Sequence, residues 1–201
     1  MKTRKILFSA LTVLFFGIST TSCEDILKTE SKTVMYESEN SLSQQTDTVY
    51  SVLGIIKQMQ KIADRTVLLG ETRADLIKMT DHVNADLLAI ANFDEITEDN
   101  RYNSIVDYYA IINNCNYFLA KADTSLTINE RKIFEKEYAA VLGFRAWTYL
   151  QMAQIYGKVP FVTEPITSGD QAKLENYPLC DIKQLATALK EDLVPYINVD
   201  E

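Results

Sequence analysis

The sequence predicts an all-α chain arranged as an array of helical hairpins, and three observations carry that prediction. Glycine and proline together number only ten of 201 residues, too few to punctuate many strands and turns. Apolar residues recur at three- and four-residue steps over long stretches, which is the period of a helix face. No segment shows the strict apolar–polar alternation of a half-buried strand. With 47% hydrophobic and 24% charged residues, most of the chain carries enough apolar surface to offset its ordering entropy, which excludes general disorder. No run of about 20 apolar residues occurs, which excludes a polytopic membrane protein. The formal charge of −8 argues against a nucleic-acid partner, because polyanion binding needs clustered Lys and Arg.

The N-terminus reads as an address. Lys2, Arg4 and Lys5 precede the apolar stretch from Ile6 to Ile18, and small polar residues then lead to Cys23. This is the three-part plan of a secretory signal, with an apolar core too short to span a bilayer. Ser19-Thr20-Thr21-Ser22-Cys23 resembles a bacterial lipobox, in which the thiol attacks a lipid donor. The rival is a soluble secreted protein cut near Ser22. The boundaries that follow are a lipoprotein signal peptide at 1–22, a tether at 23–40 and a helical domain at 41–201. Losing residues 1–22 takes Lys2, Arg4 and Lys5 from the 20 basic residues, so 17 remain against 28 acidic ones, a net of −11. An acidic globule is repelled by anionic head groups. Membrane contact is therefore expected through the lipid anchor alone, with the domain standing off the surface.

Along the domain, Leu42, Val49, Val52, Leu53, Ile56, Met59 and Ala63 mark a first helix, and Gly70 breaks the pattern. Short helices are expected at Thr72–Met79 and Ala85–Ala91, then an acidic loop at Asp94–Asn100. Tyr102, Ile105, Val106, Tyr109, Ile112, Asn116 and Leu119 predict the next helix. Thr127 and Glu130 match a capping box for a long helix running to Tyr156, apolar on two sides and therefore packed on two sides. Gly157 stops it and Pro160 follows. After a loop punctuated by Pro165, Gly169 and Pro178, Asp181 caps a last helix with Ile182, Leu185, Ala186, Leu189 and Leu193 inward, ended by Pro195. Tyr109, Tyr138, Trp147 and Tyr149 fall at helical spacing and are predicted to fill the core.

Little catalytic chemistry is legible. His82 is the one histidine, which excludes an HExxH zinc site and makes a surface or loop position the better reading of that residue. No glycine loop for phosphate exists, and no cofactor or metal is expected. Cys115 and Cys180 are two separate thiols or a disulfide. The acidic pairs Glu24-Asp25, Asp94-Glu95 and Glu98-Asp99 allow a glycoside hydrolase, which needs two carboxylates at a set separation, but adjacent acids in loops are usually just solvated.

Residues 145–165, RAWTYLQMAQIYGKVPFVTEP, closely resemble the signature segment of the SusD/RagB family: an Arg-Ala pair, an aromatic and leucine helix, then Gly-x-x-Pro. Gly70-Glu-Thr-Arg-Ala-Asp75 is similar to the family segment after its first helix, Tyr109-Ala-Ile-Ile-Asn-Asn114 with Asn116 to its Tyr/Ile/Asn helix, and Asp181–Ile197, with its Asp192-Leu193 pair, to its next helix. The resemblance implies a TPR-like helical array of the SusD type, and a non-enzymatic surface lipoprotein. Such a protein captures a nutrient, here a glycan or other oligosaccharide, beside a TonB-dependent, SusC-like outer-membrane transporter. Cys23 is then the lipidated residue, and Asp75, His82 and Asn84 are the candidate ligand-binding residues. Family members often carry an acid five residues before the Arg of the Arg-Ala pair. Here that position is Ala140, so the partner of Arg145 is open. Family members are also more than twice as long, so the N-terminal part alone is expected, with the apolar end of the last helix uncovered. The rival class is a helical-repeat interaction scaffold on the cell surface.

Overall fold

The computed structural model describes residues 42, 45–74, 76–128 and 131–199. Cys23 and Asp75 lie outside the described residues. Helix α1 (Gln45–Met59) runs through a 3-10 turn at Gln60–Ile62 into α2 (Ala63–Glu71). Helix α2 ends at Glu71, one residue after Gly70, where the sequence expects the break. Among the described residues of the short helix expected at 72–79, none is helical. Thr72 turns its hydroxyl back to the Leu68 carbonyl, and Leu76 is left 77% exposed. The helix at Ala85–Ala91, just as short, has an Asn84 cap and the buried Ile90; the expected helix has neither a cap nor a packed face to offset its nucleation cost.

Helix α3 (Ala85–Ala91) forms as expected, N-capped by Asn84, whose Oδ1 accepts from the Leu87 N–H at 3.0 Å. Helix α4 (Val106–Lys121) starts four residues after Tyr102. It buries Tyr108, Ile111, Ile112, Cys115, Asn116 and Phe118, while Val106 is 69% exposed. A one-stripe reading catches only part of this face, because α4 packs against α1 on one side and the long helix on the other.

The capping box at Thr127 and Glu130 is overturned. Thr127–Ile128 is strand β1, paired antiparallel with β2 (Arg131–Lys132), and the Ile133 N–H extends the hairpin to the Leu126 carbonyl. Helix α5 (Glu135–Tyr156) begins later, entered from a Phe134 that is fully buried and gives no side-chain cap. Burying a phenylalanine contributes about 1.5–3 kcal/mol, more than the roughly 1 kcal/mol of a cap. Gly157 ends α5 at φ 78°, a left-handed backbone that favours glycine, and its N–H bonds to the Ala153 carbonyl. A second short pair, β3 (Val159–Pro160) with β4 (Leu179–Cys180), closes the loop before α6 (Ile182–Leu193). Asp181 and Gln184 form a full capping box there, as the sequence predicts for Asp181. A 3-10 turn at Val194–Tyr196 carries Pro195.

The molecule is mostly helical. Helix α4 packs along α5, α5 along α6, and α1 along α4, with the core centred where α4 meets α5. Leu185 and Leu189 face that core, but Ile182 is 44% exposed and Ala186 lies at the surface. The aromatics divide. Tyr149 is fully buried, Tyr109 and Tyr138 are half-buried, and Trp147 is 37% exposed. The core assignment of Trp147 is therefore corrected: with Lys136, Ala140 and Gln154 it falls on the one line of α5 that neither neighbouring helix covers.

Candidate functional site

Tyr109, Asn113 and Asn116 recur on α4 at four- and three-residue steps, so they share a face. All three reach the segment after Gly157. The Tyr109 hydroxyl donates to the Pro160 carbonyl at 2.7 Å. Asn113 exchanges two bonds with Ile166, its Nδ2 donating at 3.2 Å and its Oδ1 accepting at 2.7 Å. Asn116 Nδ2 donates to the carbonyls of Val162 at 3.0 Å and Glu164 at 3.2 Å. From α5, the Tyr149 hydroxyl bonds both the N–H and the carbonyl of Val162 at 2.8 Å. A loop without regular structure must satisfy its backbone groups with side chains, and these four residues do so. Burial raises the Tyr109 and Tyr149 hydroxyls above the usual phenol range, so both remain proton donors.

Arg145 completes the junction. It is 5% exposed, its Nη1 donates to Asn116 Oδ1 at 2.9 Å, and its Nη2 pairs with Asp192 Oδ2 at 2.8 Å. The partner left open by Ala140 is thus an acid of α6, 47 residues along the chain. Arg145 Nε is buried without a hydrogen-bond partner. Cys115 and Cys180 are separate free thiols, and burial pushes the Cys115 thiol up to about 12, against the opposing charge of Arg145. The residues of the signature segment therefore build a scaffold joint between α4, α5 and α6.

A cleft of about 540 Å³ opens elsewhere, between the end of α2, the loop before α4 and the last turns of α5. Leu69, Ile90, Ile96 and Ile155 give it apolar walls, and Glu71, Arg73, Tyr102, Asn103, Gln151 and Gln154 give it polar groups. Concave sites for small ligands combine these two features. Of the residues chosen from sequence, Asn84 adjoins the cleft. Its Nδ2 donates to the Tyr102 hydroxyl at 3.2 Å, so it sets the ring of a wall residue while capping α3. His82 is exposed on the loop before α3 and does not line the cleft. Sequence reasoning missed Glu71 and Arg73, although both lie in the quoted 70–75 segment. It also missed Gln151 and Gln154, whose i,i+3 spacing on a helix of known extent was the available signal.

A second concavity has the opposite character. Ala139, Leu150, Leu189, Leu193, Tyr196 and Ile197 line an apolar groove between α5 and the end of α6, and Val194 and Ile197 are 53% and 80% exposed. Among the described residues no helix is long and apolar enough to cross a membrane, and no three His, Cys, Asp or Glu side chains converge on a metal position. Comparison of the chain with known protein families, with curated proteins and with solved structures gives no match.

Proposed function

We propose that this chain is a SusD-like, non-enzymatic lipoprotein of the outer membrane, its helices forming a TPR-like array. In this reading it captures a nutrient, a glycan or other oligosaccharide, beside a TonB-dependent transporter. The observation that carries the reading is the meeting of three of the segments on which the resemblance rests. Residues 109–116 bond to residues 145–165 through Tyr109, Asn116 and Arg145, and Arg145 bonds Asp192 of residues 181–197. The resembling residues thus act as one unit. The cleft supports capture over hydrolysis. Among the described residues Glu71 is the one carboxylate in its lining, whereas glycoside hydrolysis uses two.

One observation favours a second reading. The apolar groove between α5 and α6 is what a helical-repeat scaffold offers a partner helix. The anchor separates the capture reading from a freely secreted protein. A metabolic fatty-acid probe is expected to label the wild-type chain and not Cys23→Ser, with the labelled protein in the outer-membrane fraction. Equal labelling of both proteins, or recovery of the wild type only as soluble secreted protein, contradicts the reading.

A further inference from the structure

Arg73 stands at the cleft in an arrangement that the capture reading alone does not explain. Its Nε donates to the Ile90 carbonyl at 3.2 Å, and its guanidinium lies over the Phe93 ring at 5.0 Å from the centroid. Phe93 holds φ at 60° as the left-handed residue that closes the C-terminus of α3: its N–H bonds the Ile90 carbonyl at 3.2 Å, and the Asp94 N–H bonds the Ala89 carbonyl at 2.9 Å. The ring is 68% exposed and gives the guanidinium a flat platform. Platform and Nε bond together fix the plane of the group while both terminal nitrogens stay free. No carboxylate pairs with Arg73 among the described residues. A planar, oriented and unpaired guanidinium is suited to a carboxylate, which it grips through two parallel hydrogen bonds.

Glu71 lines the same cleft, its Oε2 buried without a hydrogen-bond partner among the described residues. The ligand must therefore bring a hydroxyl donor to Glu71 as well as a carboxylate to Arg73; the rest of the cleft sets the remainder. The Tyr102 hydroxyl accepts from Asn84 and keeps its own proton to donate. Gln151 and Gln154 lie one helical turn apart on α5 and line the cleft, with amides able to give and accept hydrogen bonds with hydroxyl groups. The apolar walls at Ile90, Ile96 and Ile155 suit the C–H faces of a ring. We infer that the cleft takes an acidic saccharide, a sugar bearing a carboxylate, with Arg73 on the carboxylate and Tyr102, Gln151 and Gln154 on the hydroxyls. This inference rests on the reading of the chain as a nutrient-capture protein and names the class of nutrient.

The test is a ligand-observed NMR titration of the full lipidated chain in detergent with sodium D-glucuronate and, separately, with D-glucose. Glucuronate is expected to bind at least tenfold tighter, with a preference that shrinks as salt rises. Arg73→Gln is expected to bring the two sugars to equal affinity. Phe93→Leu, which keeps an apolar group but removes the platform, is expected to reduce the preference several-fold. Both positions are exposed, and a thermal melt checks that each variant folds. Equal binding of the two sugars by wild type, or an undiminished preference in Arg73→Gln, overturns the assignment and leaves saccharide capture standing. Binding of neither sugar also overturns the assignment. The capture reading itself is then decided by association with the transporter, which does not depend on Arg73.

Discussion

Arg145→Met is expected to lower the unfolding free energy by about 3 kcal/mol, read from the midpoint and slope of a urea transition. Asn116 Oδ1 is buried against Nη1 of Arg145, and an orphaned buried acceptor costs about 1–3 kcal/mol. Asp192 is a lesser term. Its side chain is 40% exposed, so it regains water when the guanidinium leaves, and an ion pair with one wet partner contributes little. Methionine preserves most of the buried volume, so the loss reports the hydrogen bonds more than a cavity. The partition gives a second expectation. Asp192→Asn should cost only about 1 kcal/mol, because its amide oxygen still accepts from Nη2. A loss at Asp192→Asn equal to that at Arg145→Met would show that the ion pair, and not the Asn116 bond, holds the junction.

Tyr149→Ala is expected to cost about 4 kcal/mol, within the range for deleting a large buried aromatic, and Trp147→Ala no more than about 1 kcal/mol, as for a partly exposed position. The two residues are neighbours in sequence on one helix, yet Tyr149 is fully buried and Trp147 is 37% exposed. Tyr149 also holds both backbone groups of Val162, so its loss frees the loop as well as opening a cavity. Tyr149→Phe separates these effects, since it removes only the hydroxyl, and should cost about 2 kcal/mol for the two orphaned groups. Thermal melts of the four proteins check the ranking. A Trp147→Ala protein as unstable as Tyr149→Ala would contradict the orientation of α5.

These aromatics show what the sequence could and could not say. Helical period located α3 and α6 and the end of α5, where Gly157 stops the helix and Asp181 caps the next one. Period alone could not say which apolar residues of a helix packed on two sides point at neither neighbour, and Trp147 falls on that remaining line. It also could not weigh the Thr127 cap against the burial of Phe134, which sets the start of α5. The junction was half legible. Arg145, Asn116 and Asp192 were each singled out within separate segments, but their convergence depends on how α4 and α6 flank α5. The cleft was less legible still. Its polar groups come from the end of α2, the loop before α4 and α5, and no local spacing links those three places. Asn84 was chosen as a ligand residue, yet its polar side chain serves the α3 cap and Tyr102.

The central claim is that this chain serves a transporter, and the most direct measurement is co-purification from the outer membrane. An affinity-tagged, lipidated chain expressed in its own cell is extracted in mild detergent and captured, and the retained proteins are identified by mass spectrometry. The account predicts one TonB-dependent barrel in stoichiometric amount, retained by wild type and by Arg73→Gln alike and lost when Cys23→Ser prevents anchoring. Recovery of the anchored chain with no barrel protein, in an outer membrane that contains such transporters, would contradict it.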